Sequence, residues 1–214
     1  MSVIFEILDK DAGGRIGKLR TPHGTVETPT VMPVINPNIQ LISPRTMKDF
    51  GAEILITNSY IIYRKEELRK IALEKGLHKL MDFDGPIMTD SGSFQLSVYG
   101  SVEVTNEEIL GFQQKIGSDI IVPLDIPTPP DVHYKRAEEE LGITYERLEV
   151  ARKFIQGEQL LAGPVQGSTY LDLREKAAFQ LRNLKFEVYP LGAVVPLMET
   201  YRYAELVDLV AASK

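Results

Sequence analysis

The amino-acid sequence predicts an α/β fold built on a parallel sheet. Six short apolar runs alternate with segments of helical periodicity, the pattern of repeated βα units. Several of these runs stop abruptly at a carboxylate or an amide, which is where parallel-sheet folds place their chemistry. Across 214 residues no linker, internal repeat or shift of composition marks a boundary, so one domain with a sizeable core is expected. An open doubly wound sheet and a (β/α)8 barrel both fit the alternation. The chain supplies six such units rather than eight, so a barrel built from it is incomplete.

Residues 3–28 read as short strands and turns, with Gly14 and Gly24 near the reversals, and predict an N-terminal β-hairpin lid over one end of the fold. Residues 29–214 hold units 1 to 6. Thr30 to Val34 is the first core strand. Ser43 and Pro44 open a helix that runs to about Phe50, serine as the N-cap and proline in the first turn. Glu53 to Thr57 is the second strand, ending at Asn58, Ser59 and Tyr60. Lys65 to Lys75 is a helix with Leu68, Ile71 and Ala72 on one face, stopped by Gly76.

Pro86 to Asp90 is the third strand, an apolar run that ends in a carboxylate and a bendable Ser91, Gly92, Ser93 turn, followed by Phe94 and Gln95. Thr105 to Glu108 is a capping-box pattern ahead of the stripe Ile109, Phe112, Ile116. Asp119 to Asp125 is the fourth strand and again ends in an aspartate; the loop 126–131 behind it is stiffened by three prolines. Tyr134 to Ile155 is helical with Ala137, Leu141, Leu148, Ala151 and Ile155 inward, and Gly142 is a candidate break. Glu138 to Glu140 reads as a solvated face. Leu160 to Gln166 is the fifth strand. Thr169 caps a helix carrying Leu173, Ala177, Leu181 and Leu184. Pro190 to Val195 is the sixth strand, and Tyr203, Leu206, Val207 and Val210 line the last helix.

Composition narrows the function. No apolar run approaches bilayer length and no signal-peptide pattern opens the chain, so a cytoplasmic protein without a membrane partner is expected. Cysteine is absent, which rules out a disulfide framework and a thiolate metal site. His23, His78 and His133 lie far apart with no ligand spacing, so no metal or other cofactor is expected from this chain. A net charge of −6 argues against a surface that coats nucleic acid. It is compatible with an enzyme that reaches one nucleotide through a local site, other parts supplying most phosphate contacts.

Four strand ends line up as candidates: Asn58, Asp90, Asp125 and Gln166. In a barrel they converge on one mouth. Near them fall Phe94 and the backbone at Gly192 and Ala193. Two carboxylates, two amides and an aromatic plate suit a planar, polar heterocycle. Guanine matches: its N1–H and exocyclic amine are adjacent donors for one carboxylate, and its O6 takes a donor from the Gln166 amide or a backbone N–H. The second carboxylate is then free for acid/base or nucleophilic work on a sugar–base bond. Each residue also has a structural reading: Asp90 and Asp125 as turn caps, Gln166 as a backbone-capping amide, Phe94 as core. Spacing alone does not select guanine.

The runs TDSGSFQ (89–95), LDIPTPP (124–130), VQG (165–167) and GAVVPLM (192–198), with ITNSY (56–60) and TPTVMP (28–33), together resemble the tRNA-guanine transglycosylases, from the N-terminal hairpin to the last residue. The details are most similar to the archaeal branch, which exchanges a guanine in the dihydrouridine loop of tRNA for 7-cyano-7-deazaguanine on the way to archaeosine. The queuosine-forming bacterial branch usually reads Ser-Gly-Gly after the aspartate and has paired glycines where Gly192 and Ala193 stand. The resemblance implies a (β/α)8 TIM-type barrel of which this chain is the N-terminal part. It implies Asp90 as the acid/base carboxylate, Asp125 and Gln166 reading the base edge, backbone at Gly192 and Ala193 touching the base, Phe94 stacking on it, and Asn58 ordering the carboxylates. The family's nucleophilic aspartate and its zinc site of three cysteines and a histidine fall beyond Lys214. The partners implied are tRNA, a guanine or 7-deazaguanine base, and a second polypeptide or a homo-oligomeric copy completing the barrel. The alternative is a non-catalytic base- or tRNA-binding paralogue.

Overall fold

The computed structural model describes residues 4–93 and 104–214. They form two compact units: Met1–Ser91 with Glu108–Val122 and Ile155–Leu160, and Gly92–Glu107 with Pro123–Phe154 and Leu161–Lys214.

The first unit opens with β1 (Phe5–Asp11), β2 (Gly14–Thr21) and β3 (Gly24–Thr28), an antiparallel sheet in chain order. The expected hairpin is thus a three-stranded meander. A parallel sheet follows with order β4 (Val34–Ile35), β5 (Leu55–Asn58), β6 (Ile87–Asp90), β7 (Ile120–Ile121) and β8 (Leu160–Leu161), the last entering this unit at Leu160. Strands buried on both faces read as apolar runs, and Ile87, Met88 and Thr89 of β6 are all buried. Ser43 caps α1 (Pro44–Asp49) by accepting the Thr46 N–H, as its sequence predicts. Between β5 and β6 run α2 (Ser59–Arg64), α3 (Glu66–Lys75) and α4 (Leu77–Met81), and α5 (Asn106–Lys115) precedes β7. Gly76 ends α3 at φ +85°, a conformation glycine adopts without strain. The short α2 and α4 have no counterpart in the sequence-based reading. Of the stripe expected on α3, Ala72 is buried while Ile71 stays exposed.

The meander is tied to the amino ends of the parallel strands. The β2–β3 turn brings His23 to Asp119, whose Oδ1 accepts both the His23 N–H at 2.8 Å and His23 Nδ1 at 2.9 Å. Asp119 Oδ2 accepts the Ile87 N–H at 2.8 Å and His78 Nε2 at 2.9 Å. The Glu27 N–H donates to Glu53 Oε2 at 2.8 Å. Asn58 and Asp90 sit at the opposite, carboxyl ends of β5 and β6.

The second unit carries α6 (Tyr134–Phe154), α7 (Leu171–Leu184), α8 (Val195–Glu199) and α9 (Tyr203–Ala212). Ala137, Leu141, Leu148 and Ala151 are buried along α6, which is continuous through the exposed Gly142. The helix after β8 starts at Leu171 behind Tyr170, which makes no side-chain cap, so Thr169 is not its N-cap. Leu173, Ala177 and Leu181 are buried as expected, and Arg174 is buried with them. On α9 the inward residue is Leu209, while Tyr203, Val207 and Val210 are exposed.

Four expected strands differ from their apolar runs: the first is strand only at Val34–Ile35 and the fifth only at Leu160–Leu161, and for the other two the physical reason is visible. The run 119–125 is a strand only at Ile120–Ile121. Gln113 takes both backbone groups of Val122, its Oε1 accepting the N–H at 3.1 Å and its Nε2 donating to the carbonyl at 2.8 Å. Pro123 has no N–H, and the next three N–H groups go to side chains: Leu124 to Asn106 Oδ1, Asp125 to Ser93 Oγ and Ile126 to Thr144 Oγ1. The sixth run makes one isolated parallel bridge, Leu191 to Val165, and Val188 just ahead of it makes another, to Ala162. Pro164 and Pro190 each remove a donor from that pairing, and Val195 onward is helix.

Candidate active site

In the first unit, parallel pairing sets Asn58 directly opposite Asp90. Asn58 is the N-cap of α2, its Oδ1 accepting the Ile61 N–H at 2.9 Å. That bond leaves Nδ2 pointing at the neighbouring strand, where it donates to Asp90 Oδ2 at 3.0 Å. The Ser59 hydroxyl donates to the Asp90 carbonyl at 2.7 Å. Behind them Thr89 Oγ1 bonds Gln113 Oε1 and Ser118 Oγ, both at 2.8 Å, so the buried end of β6 is satisfied and stiff. Asp90 itself is half-buried. The structure therefore delivers an oriented, solvent-reachable carboxylate at a strand's carboxyl end.

In the second unit, Asp125 and Gln166 come together although 41 residues separate them. Gln166 Nε2 donates to Asp125 Oδ2 at 2.5 Å, and the two residues are 1% and 7% exposed for Gln166 and Asp125 respectively. Burial raises the Asp125 pKa above its ordinary value, against the opposing hydrogen bonds of Ser93 and Gln166. Gln166 Oε1 is buried without a hydrogen-bond partner among the described residues. Gly192 lies against this amide so closely that a Cβ there would stand 2.1 Å from Gln166 Nε2. Ala193 has φ +58°, uncommon for a residue with a side chain. Phe94 lies outside the described residues.

The proline loop is fastened beside Gln166 by Ser168 Oγ donating to the Pro129 carbonyl at 2.6 Å and Tyr170 Oη to that of Val132 at 2.7 Å. At its end Asp131 pairs with Arg202, which also holds Glu205. The sequence-based reading passed over Arg174, which donates to three main-chain carbonyls around Gln166. Its only signal is a charged residue next to the buried Leu173 of α7.

Sequence distance also hid a cluster in the first unit. His23, His78 and Asp119 bring ligand-type atoms within 4.8 Å of one another, and the two imidazoles stack at 3.7 Å. These residue types can hold a cation. Here, however, the Asp119 oxygens already accept four hydrogen bonds. Burial pushes the Asp119 carboxyl up, but the bonds from His78, Ile87 and His23 outweigh it and hold it below its ordinary value. The cluster is a satisfied clamp on the meander.

A parallel βα framework with Asn58 and Asp90 at carboxyl strand ends defines an α/β protein, a class of fold that places its ligand sites at those ends. The queuine tRNA-ribosyltransferase family matches residues 9–214, and the chain belongs to that family. It is 88% identical over all of its 214 residues to a tRNA-guanine(15) transglycosylase of Methanosarcina acetivorans. It is 59% identical over 98% of its length to the protein of that name from Haloarcula marismortui, and 55% identical over 98% to that from Pyrococcus furiosus. The chain spans 44%, 44% and 36% of those three relatives, less than half of each.

Proposed function

We propose that this chain is the N-terminal part of a tRNA-guanine transglycosylase. In this reading it exchanges the guanine at tRNA position 15, the position in its relatives' name, for 7-cyano-7-deazaguanine. The observation that carries the reading is the buried Asp125–Gln166 pair with Gly192 pressed against it. Asp125 has no cationic hydrogen-bond partner among the described residues, a buried carboxylate of that kind is costly to keep, and two adjacent N–H donors of a guanine edge would compensate it. Gln166, Gly192 and Ala193 complete the base edge, and Phe94 stacks on the ring.

The chemistry is a double displacement with retention. A carboxylate supplied from beyond this chain attacks the ribose C1′. The C1′–N9 bond breaks, and the departing guanine takes a proton at N9 from Asp90. The incoming base then gives its N9 proton to Asp90 as N9 attacks C1′ and releases the carboxylate. Asn58 holds Asp90 in place through both halves. Zinc would be held by cysteines and a histidine outside this chain, which contains no cysteine.

Each unit keeps apolar surface that further polypeptide would cover. The β4 edge exposes Val34 at 79%, with Val31 at 78% and Leu41 at 93% nearby in the chain. On the second unit Val207, Val210 and Phe179 are exposed. Open strand edges invite pairing, and we assign these surfaces to the additional length that the relatives carry, in a cytoplasmic enzyme. The test is labelled-guanine exchange into tRNA with this chain alone and with polypeptide supplying the missing length. Exchange only in the completed protein supports the proposal. A stable, tRNA-binding complete protein without exchange would identify a binding paralogue instead.

A further inference from the structure

We propose that Arg174 is a positioning residue for base recognition, holding the two main-chain segments that carry Gln166 and the Gly192–Ala193 peptide at one fixed separation. The proposal rests on the base-reading role given above to Asp125 and Gln166.

Arg174 lies in the first turn of α7 and is 1% exposed. Its Nε donates to the Ser168 carbonyl at 2.9 Å, Nη1 to Val165 at 2.7 Å and Nη2 to Gly192 at 2.9 Å. Val165 and Ser168 bracket Gln166; Gly192 belongs to the other segment. A guanidinium is a rigid planar fork, so three carbonyls bound to it are fixed relative to one another. Val165 O also accepts the Gly192 N–H at 3.0 Å, which closes the link between the segments.

None of the three hydrogen bonds goes to a carboxylate, and burial lowers the Arg174 pKa to about 10. It is still a cation at neutral pH. A leucine would fill an inward position on α7 without the cost of burying a charge. What the cation supplies is control of backbone that cannot control itself. Gly167 has φ +136° and Ser168 φ +51°, conformations outside the usual strand and helix regions.

The consequence reaches the base edge. A trans peptide points its N–H opposite its carbonyl. Binding the Gly192 carbonyl to Arg174 therefore turns the Ala193 N–H away from α7, and no hydrogen bond engages that N–H among the described residues. Gln166 Oε1 is the other uncommitted group. The Ala193 N–H left free on the clamped segment is a donor for guanine O6, while the neighbouring N1–H and amine go to Asp125, which the clamped Gln166 holds.

The experiment uses the complete enzyme containing this segment and compares R174M, R174K, Q166A and R174M/Q166A in labelled-guanine exchange, with melting temperature measured alongside. In folded R174M the KM for the base rises about tenfold or more while the KM for tRNA stays within about twofold, because misplaced contacts weaken one ligand and not the other. R174K, a point charge that cannot span three carbonyls, raises the base KM by at least about threefold. The double variant is no worse than Q166A, since Arg174 acts through Gln166. A base KM within about twofold of wild type in R174M, or in R174K should R174M not fold, overturns the positioning role. So do effects of R174M and Q166A that multiply. An unchanged base KM in Q166A instead overturns the base-reading role itself, and with it this proposal.

Discussion

Replacing Asp125 by asparagine separates what the residue does for the fold from what it does for the ligand. The carboxylate is 7% exposed, and burial raises its pKa. The sign of the linkage follows. An acid whose folded pKa lies above the unfolded one binds protons more readily in the folded state. Stability then falls as pH rises from the ordinary carboxylate value of 3.8 through the folded pKa, and stays low above it. Asparagine escapes that loss and its oxygen can still accept from Gln166 Nε2. D125N should therefore melt no lower than wild type at neutral pH, and any advantage should vanish near pH 4.

Base binding should move the other way. Hydrogen bonds to a charged acceptor contribute about 1.5–3 kcal/mol each, neutral ones nearer 1. Asparagine can keep one, weakened, and turns an N–H toward the second base donor. A loss of about 3–4 kcal/mol, roughly 10²- to 10³-fold in Kd, is expected. Isothermal titration of the complete enzyme with guanine, paired with calorimetric melting across pH 4–8, reads both. Wild-type guanine affinity in D125N would refute the base-reading role, and a lower melting temperature at neutral pH would refute burial as the dominant influence on this carboxylate.

Asp90→Asn should reduce exchange by roughly 10²–10⁴-fold in kcat, the usual contribution of a positioned acid/base group, while guanine affinity stays near wild type; undiminished turnover would remove Asp90 from the chemistry. Asn58→Ala loses the cap of α2 and the bond to Asp90, so it should cost about 1–2 kcal/mol in urea unfolding and lower kcat as well. Unchanged kcat in a folded N58A would make Asn58 a cap alone. Asp119→Ala leaves two histidines and two backbone N–H groups without an acceptor and should destabilise by about 3–5 kcal/mol, with early hydrogen exchange in β2 and β3. Because the Asp119 pKa is lowered, the wild-type clamp is intact above pH 3.8 and weakens as pH falls through the folded value; meander exchange that is insensitive to acid would argue against it.

Asn58, Asp90, Asp125 and Gln166 stand out in the sequence because each follows an apolar run with a polar group, a local signal that needs no knowledge of pairing. Their partners do not. Asn58 meets Asp90 through parallel register, and Asp125 meets Gln166 across 41 residues. The 96-residue separation of His23 from Asp119 likewise conceals a cluster that individual histidines do not announce. The run 119–125 has strand composition throughout, but Gln113, Asn106, Ser93 and Thr144 intercept its backbone from elsewhere in the chain. Arg174 reads as an ordinary surface charge on α7; only the left-handed backbone at Gly167 and Ser168 explains why a cation belongs inside.

The two carboxylates have different surroundings, and that contrast supports the division of work proposed for them. Asp90 is half-buried and receives an amide N–H whose other end is committed to a helix cap. Partial exposure leaves it open to solvent, which suits the proton exchanges proposed for it. Asp125 is buried, and it stands against an amide whose own oxygen has no partner among the described residues. Such a group is poorly suited to shuttling protons with solvent. It is well suited to a ligand that brings its own donors, because the cost of keeping the charge dry in the free protein is what such donors offset on binding. If the roles were exchanged, the acid/base group would lack a path to solvent and the base edge would compete with water at a half-exposed carboxylate. Environment is therefore consistent with the proposed roles, Asp90 for the glycosidic bond and Asp125 for the base.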